Sequence, residues 1–204
     1  MAGILALALV AATNDEDHPV GSRIAKMAAA SGVVVLLIVV AGEWNAYSKL
    51  VLCALALSWV GDLALSYSGR RPFVGGLVAF ALAHVMYIAA FVATGELSLV
   101  LLVGTGFVMA AFGVAVLRWL APHRPPELTR PLVAYVAIIG IMVATAFATL
   151  GTDPNLFIPV AAVAFAASDL FVARQRFVTR ARADRMVGLP LYFTAQILFA
   201  LSTS

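Results

Sequence analysis

The chain has 204 residues, 63% of them hydrophobic and only 11% charged, where a soluble domain of ordinary composition carries roughly 25% charged residues. Its net charge of +3 and pI of about 9.4 could suit nucleic acid, but the arginines flank long apolar blocks, where membrane topology accounts for them and no nucleic-acid partner is implied. A single cysteine, Cys53, sits in an apolar run and rules out a disulfide framework, and there is no CxxC, HExxH or glycine-rich phosphate loop to suggest a zinc, redox or nucleotide enzyme.

The apolar residues fall in blocks, neither alternating nor in amphipathic thirds, which predicts an all-α fold: a polytopic transmembrane bundle, read as one membrane domain over residues 1–204. In chain order, the predicted spans are 27–42, 50–66, 72–94, 97–120, 131–150, 156–174 and 187–203. Residues 1–12 are also apolar, but twelve residues of helix rise only about 18 Å, short of a hydrocarbon core of roughly 30 Å. This segment lacks the basic start of a secretory signal and is read as a thin first helix, giving eight helices, or seven if it does not span.

Twelve of the 13 lysines and arginines lie in the connections after helices 1, 3, 5 and 7 when residues 1–12 count as helix 1; only Lys49 lies on the other side. The positive-inside rule makes those connections cytoplasmic in a plasma (inner) membrane and the C-terminus extracytoplasmic. One internal echo is present. Gly61-Asp62-Leu63 in helix 3 resembles Ser168-Asp169-Leu170 in helix 7, and "FALAH" at 80–84 resembles "YFTAQ" at 192–196. Those helices run in the same direction, as a parallel duplication of four helices would require.

An ionisable residue in a span costs about 2.5–3.5 kcal/mol or more at the bilayer centre, so it faces the bundle interior and usually has a task. The candidates are Ser58 and Asp62 in helix 3, His84 and Tyr87 in helix 4, Tyr135 in helix 6, Ser168 and Asp169 in helix 7, and Tyr192 and Gln196 in helix 8, with Lys26 entering helix 2 from the basic side. Asp62 is about five residues, roughly 7 Å, from the basic end of its helix. Asp169, Tyr135 and Tyr192 are at similar depth, while His84 and Gln196 lie deeper. A shared depth argues for a common cavity. Each residue also has a structural reading: Asp62 pairing with Arg70 or Arg71, Asp169 pairing with Arg174 or Arg176, the tyrosines as interface residues, the serines bonded back to their own helices, and His84 and Gln196 as interhelical hydrogen bonds. His18 and His123 lie in polar connections and only His84 lies in a span, so no metal site is expected.

The ordered segments "SWVGDLAL", "FVGGLVAFALAHVMYIAAF", "RPLVAYV", "AASDLFVARQRF" and "LYFTAQILFALS" resemble the motif series of the YhhN-type lysoplasmalogenase family, from about Lys26 to Ser202. Where that family tends to open helix 2 with Lys-Pro, this chain has Lys26-Met27. The resemblance implies an eight-helix hydrolase that cleaves the vinyl ether of lysoplasmalogens, a lysophospholipid substrate, to a fatty aldehyde and a glycerophospho head group. That reaction begins with protonation of the β-carbon and passes through an oxocarbenium ion that water attacks. Asp62 and Asp169 suit the acid and base, with His84 as relay or water positioner, and no cofactor is required. Lys26 and the arginines suit the lipid phosphate, Ser58, Tyr87, Tyr135, Ser168, Tyr192 and Gln196 suit substrate binding in the same cavity, and its apolar wall suits the chain. A small transporter or lipid-binding membrane protein using the same polar layer is the alternative from another class.

The charge partition makes a direct prediction. A reporter active only in the cytoplasm is expected to be silent at Ser204 and active near Arg182. Activity at Ser204 would invert every span.

Overall fold

The computed structural model describes residues 1–13, 19–95, 97–151, 155–179 and 181–204, with the backbone alone for 10–13 and 19. His18, Glu96, Asp153 and Arg180 lie outside the described residues. Within them the chain forms eight α-helices and no strand: α1 (Ala2–Thr13), α2 (Pro19–Val40), α3 (Ala46–Leu65), α4 (Arg70–Ala93), α5 (Leu99–Leu120), α6 (Thr129–Ala148), α7 (Phe157–Ala173) and α8 (Arg182–Leu201). Short 3₁₀ turns stand at Pro126–Leu128 and Thr149–Gly151, and a π-helical turn at Arg174–Val178 extends α7.

Six segments are long and apolar enough to cross a membrane: Val20–Val40, Ala46–Leu65, Arg70–Ala93, Leu99–Leu120, Pro126–Gly151 and Phe157–Val178. The chain is thus a membrane protein. α1 is too short for that criterion, and α8 carries Arg182, Asp184 and Arg185 in its first turn. The polarity of α8 fits its position, because it packs on α7, α1, α2 and α3. Its residues Tyr192, Phe193, Gln196, Phe199 and Ala200 are buried. α5 lies at the other extreme, packed mainly on α6 with most of its surface bare.

Local sequence accounts for the helix starts. Pro72, Pro131 and Pro159 are each the third residue of α4, α6 and α7, where the missing N–H has no intrahelical acceptor in any case. α2 opens at Pro19, eight residues ahead of the apolar block, so Lys26 lies inside the helix and not at its mouth. Asn45 and Ser98 cap α3 and α5 through side-chain bonds to Ser48 N and Leu101 N. The far end of α8 is held by the α2–α3 connection and the first turn of α3: Gly42 N donates to Thr203 O, and Tyr47 Oη lies 2.6 Å from Ser202 Oγ.

The helix neighbours repeat in the order the sequence echo suggests. α1 pairs with α2 as α5 does with α6, α2 with α3 as α6 with α7, α3 with α4 as α7 with α8, and α2 with α8 as α6 with α4. Close-packing glycines follow the same correspondence. A Cβ on Gly76 would stand 2.7 Å from Leu65 Cδ2, and one on Gly188 would stand 2.8 Å from Phe171 Cβ. Gly76, Phe80 and His84 on α4 thus match Gly188, Tyr192 and Gln196 on α8, all shifted by the same number of residues.

This packing predicts a graded response to alanine. Gly188→Ala meets a β-carbon fixed to its backbone and is expected to cost about 1–3 kcal/mol. Gly61→Ala meets the Phe80 ring at 2.7 Å and is expected to cost less, because the ring can tilt. Gly104→Ala, with nothing within 4 Å, should be neutral or slightly stabilising. Thermal unfolding in detergent ranks the three.

Candidate active site

Asp62 lies near the end of α3, where helix carbonyls lack partners. Its own carbonyl accepts from Ser66 N at 3.1 Å, Ser66 Oγ at 2.8 Å and Lys26 Nζ at 3.2 Å. The same ammonium lies 3.0 Å from Asp62 Oδ1, a cation at a helix C-terminus as the macrodipole favours. Tyr192 donates its hydroxyl to Oδ2 at 2.7 Å. Both carboxylate oxygens are therefore engaged, one from α2 and one from α8, and the side chain is only 2% exposed.

Asp169 is built differently. Tyr135 of α6 donates to its Oδ2 at 3.0 Å, and His84 Nε2 of α4 stands 3.8 Å from that oxygen. Among the described residues no lysine or arginine pairs with it, Oδ1 has no protein hydrogen bond, and the side chain is 16% exposed. His84 Nδ1 lies 2.6 Å from Phe80 O. A carbonyl only accepts, so Nδ1 carries the hydrogen, and in a neutral ring Nε2 presents its lone pair toward Asp169. That pairing suits a single proton shared between Asp169 and His84.

Helix direction explains why these groups meet. Side chains lean toward the N-terminus of their own helix. α4 and α8 start at the basic end, so His84 and Tyr192, about three to four turns in, reach back toward it. Asp62 and Asp169 sit on helices that finish there, and they reach the opposite way. Between the two clusters stands an aromatic wall. The Phe165 ring lies 4.6 Å from His84 and 5.3 Å from Tyr192, and Phe80 packs on both Phe165 and Tyr192.

Deeper in the bundle Tyr87 donates to Gln196 Oε1 at 2.8 Å. Among the described residues, Ser58 Oγ, beside the Tyr87 hydroxyl, and Gln196 Nε2, on the side chain that neighbours Tyr192, make no hydrogen bond of good geometry, and His84 Nε2 has only Asp169 Oδ2 at 3.8 Å. Three such buried atoms in one neighbourhood mark a place that accepts a polar guest. Ser168 does not join them, because its hydroxyl bonds back to Phe165 O at 2.7 Å.

Every candidate residue from the sequence except Ser168 thus takes part in one of three adjoining clusters, Lys26–Asp62–Tyr192, Tyr135–Asp169–His84 and Ser58–Tyr87–Gln196. Lys26, a candidate for the lipid phosphate in the sequence, forms an ion pair with Asp62. Neither aspartate pairs with the arginines considered for it, and Arg174 bonds Asp184 at 2.6 Å. Phe80 and Phe165 were not anticipated, although Phe80 begins the echoed "FALAH".

The YhhN family pattern matches residues 21–203. The chain belongs to the YhhN family. It is 32% identical over 195 residues to the lysoplasmalogenase TMEM86B of Sus scrofa, covering 94% of this chain and 78% of that protein. It is 35% identical over 158 residues to the lysoplasmalogenase TMEM86A of Homo sapiens, covering 74% and 64%. With a lysoplasmalogenase of Mycobacterium tuberculosis it shares 32% over 158 residues, 71% and 56%. The matched region thus spans less than two thirds of the human and mycobacterial proteins. No solved structure matches the chain.

The Lys26–Asp62 pair makes a stability prediction for this YhhN protein. Removing one member of a buried ion pair costs about 3–5 kcal/mol, whereas removing both charges is far milder. Lys26→Met should therefore unfold well below the wild type, and Lys26→Met with Asp62→Asn should recover most of the loss. A lysine that served lipid phosphate alone would leave stability unchanged in the single variant and give no recovery in the double.

Proposed function

We propose that the chain is an intramembrane hydrolase that cleaves the vinyl ether bond of lysoplasmalogen-type lysophospholipids, releasing a fatty aldehyde and a glycerophospho head group. Its relatives' names support this, but the observation that carries it is the unequal treatment of two carboxyls in one layer. Asp62 has a lysine beside it and both oxygens occupied. Asp169 has no lysine or arginine partner among the described residues, an open oxygen and a histidine lone pair nearby.

The roles follow from those partners. Asp169 gives its proton to the β-carbon of the vinyl ether; the double-bond electrons form the new C–H bond, and the ether oxygen's lone pair closes the oxocarbenium ion. Asp62, its charge held by Lys26 and Tyr192, faces that cation and stabilises it. Water then adds to the oxygen-bearing carbon, and its proton returns through His84 to Asp169. The hemiacetal collapses to the aldehyde and the free glycerol hydroxyl. Acid and counter-charge are restored with no net proton change. The reacting carbons take the place of the Phe80–Phe165 contact that separates the clusters. The protein resides in the plasma (inner) membrane with its basic connections cytoplasmic, and the carboxyl layer lies in the cytoplasmic half.

Asp62→Asn and Asp169→Asn are each expected to lower aldehyde release per folded molecule by about 10²–10⁴, since Asn keeps the size but neither donates an acidic proton nor carries charge. His84→Gln should cost less, because the acid itself remains. Retention of more than about a tenth of activity in both Asn variants would defeat the carboxyl-pair scheme. A wild-type protein that released no aldehyde from any vinyl ether lysolipid would return the polar layer to the transporter reading.

A further inference from the structure

Along α2, Arg23, Lys26, Ala30 and Val33 succeed one another at spacings of three, four and three, which places them on one face of the helix. Lys26 is bound to Asp62. Arg23 lies one turn closer to the basic end, its guanidinium 4.4 Å over the ring of Tyr67. Its Nε is buried without a hydrogen-bond partner, and no carboxylate pairs with it among the described residues. On the other side of Lys26, Ala30 and Val33 border a void of about 10 Å³ with Leu55, Trp59, Tyr192 and Gln196, room for about one water. Tyr192 is shared between this void and the Asp62 carboxylate. Toward the surface the void is closed by Trp59, whose Nε1 donates to Ser31 Oγ at 3.2 Å and ties α3 to α2.

We propose that this face of α2 is the lysolipid's binding track, with Arg23 taking the phosphate and the Ala30–Val33 void opening to take the alkenyl chain. The inference rests on the hydrolase reading for the position of the bond between them. In a glycerophospholipid the phosphorus lies five covalent bonds from the first-position ether oxygen, roughly 5–6 Å along a kinked chain of ~1.5 Å bonds. Arg23 and Lys26 are about 4.5 Å apart along the helix axis, and Ala30 is about 6 Å further on. A phosphate on Arg23 therefore brings the ether beside Asp62 and directs the chain at the void. The chain enters from the bilayer by parting the Trp59–Ser31 contact. Arg23 is built for an anion: a planar donor fork, stacked on an aromatic ring, with no carboxylate partner among the described residues.

The test uses binding, so it does not depend on turnover. Purified full-length protein is titrated with a long-chain 1-O-alkyl lysophospholipid, whose saturated ether cannot be cleaved, and thermal stabilisation is read. Arg23→Gln is expected to need about tenfold or more ligand for the same shift, and Arg23→Lys to keep most of the affinity. A neutral 1-O-alkylglycerol of the same chain should bind wild type and Arg23→Gln alike. Val33→Phe, or the milder Ala30→Val, should weaken the long-chain ligand about tenfold and spare a short-chain analogue. Equal loss of the neutral ligand in Arg23→Gln, or no loss of either, would overturn the phosphate role. The same Arg23-dependent shift with a diacyl phospholipid would overturn it too, making Arg23 a general bilayer anchor. Equal effects of the void variants on long and short chains would overturn the chain role. Aldehyde release separates this site from the hydrolase reading: a wild type that shows these binding differences but cleaves nothing loses the activity and keeps the site, while one that cleaves without Arg23 dependence does the reverse.

Discussion

A carboxylate inside a bilayer has to find its partners within the protein, and this requirement organises the bundle. Asp62 draws a donor from α2 and another from α8, and Asp169 meets groups from α6 and α4. Each aspartate therefore joins its own helix to the preceding one and to a helix of the other hairpin. With water absent, a lost partner leaves a group that nothing else can satisfy. The two carboxyls act as cross-braces between the halves, beside the Tyr87–Gln196 bond and the Tyr47–Ser202 and Gly42–Thr203 contacts at the far end of α8.

The halves correspond in most helix neighbours, in the positions of Gly76 and Gly188 and in the placing of the aspartates, although α1 packs on α8 where α5 has no such packing on α4, and their polar partners differ. Phe80 stands where the other half has Tyr192, and His84 where it has Gln196. Lys26 of α2 approaches Asp62 where, on the corresponding helix α6, Tyr135 approaches Asp169. One carboxyl thus receives a full positive charge and the other a phenol and an imidazole. Corresponding positions on α3 and α7 supply two carboxyls at one depth, and the proposed division of tasks rests on their unequal partners.

Much of this was legible beforehand because it depends on composition and spacing. The apolar blocks, the arginine partition and the intramembrane aspartates are one-dimensional signals, and the eight helices follow them. Rotation about each helix axis is not such a signal. Lys26 lies beside enough apolar sequence that its long side chain could have pointed outward to phosphate, and only the packing of α2 on α3 turns it to Asp62. Asp184 was hidden for a related reason: its arginine-rich surroundings read as a loop, whereas α8 begins there and buries it against Arg174. The aromatic wall went unseen because Phe80 and Phe165 look like any other core residues until two polar clusters are found on either side of them.

The wall bears on how such a site works in lipid. A permanently open polar cavity would admit water and expose the carboxyls, weakening the field that the proposed mechanism has Asp62 direct at a developing cation. Phe80, Phe165 and Tyr192 pack together across the layer, the void beside Tyr192 has room for about one water, and each carboxyl has a fixed partner on at least one oxygen. On the hydrolase reading proposed above, a lysolipid would bring an apolar chain able to replace aromatic contacts at little cost, exchanging one apolar surface for another while the polar partners stay in place. In the proposed scheme the substrate's shape would open the site, bringing the reactive bond to where one carboxyl can release its proton and the other is held charged by Lys26.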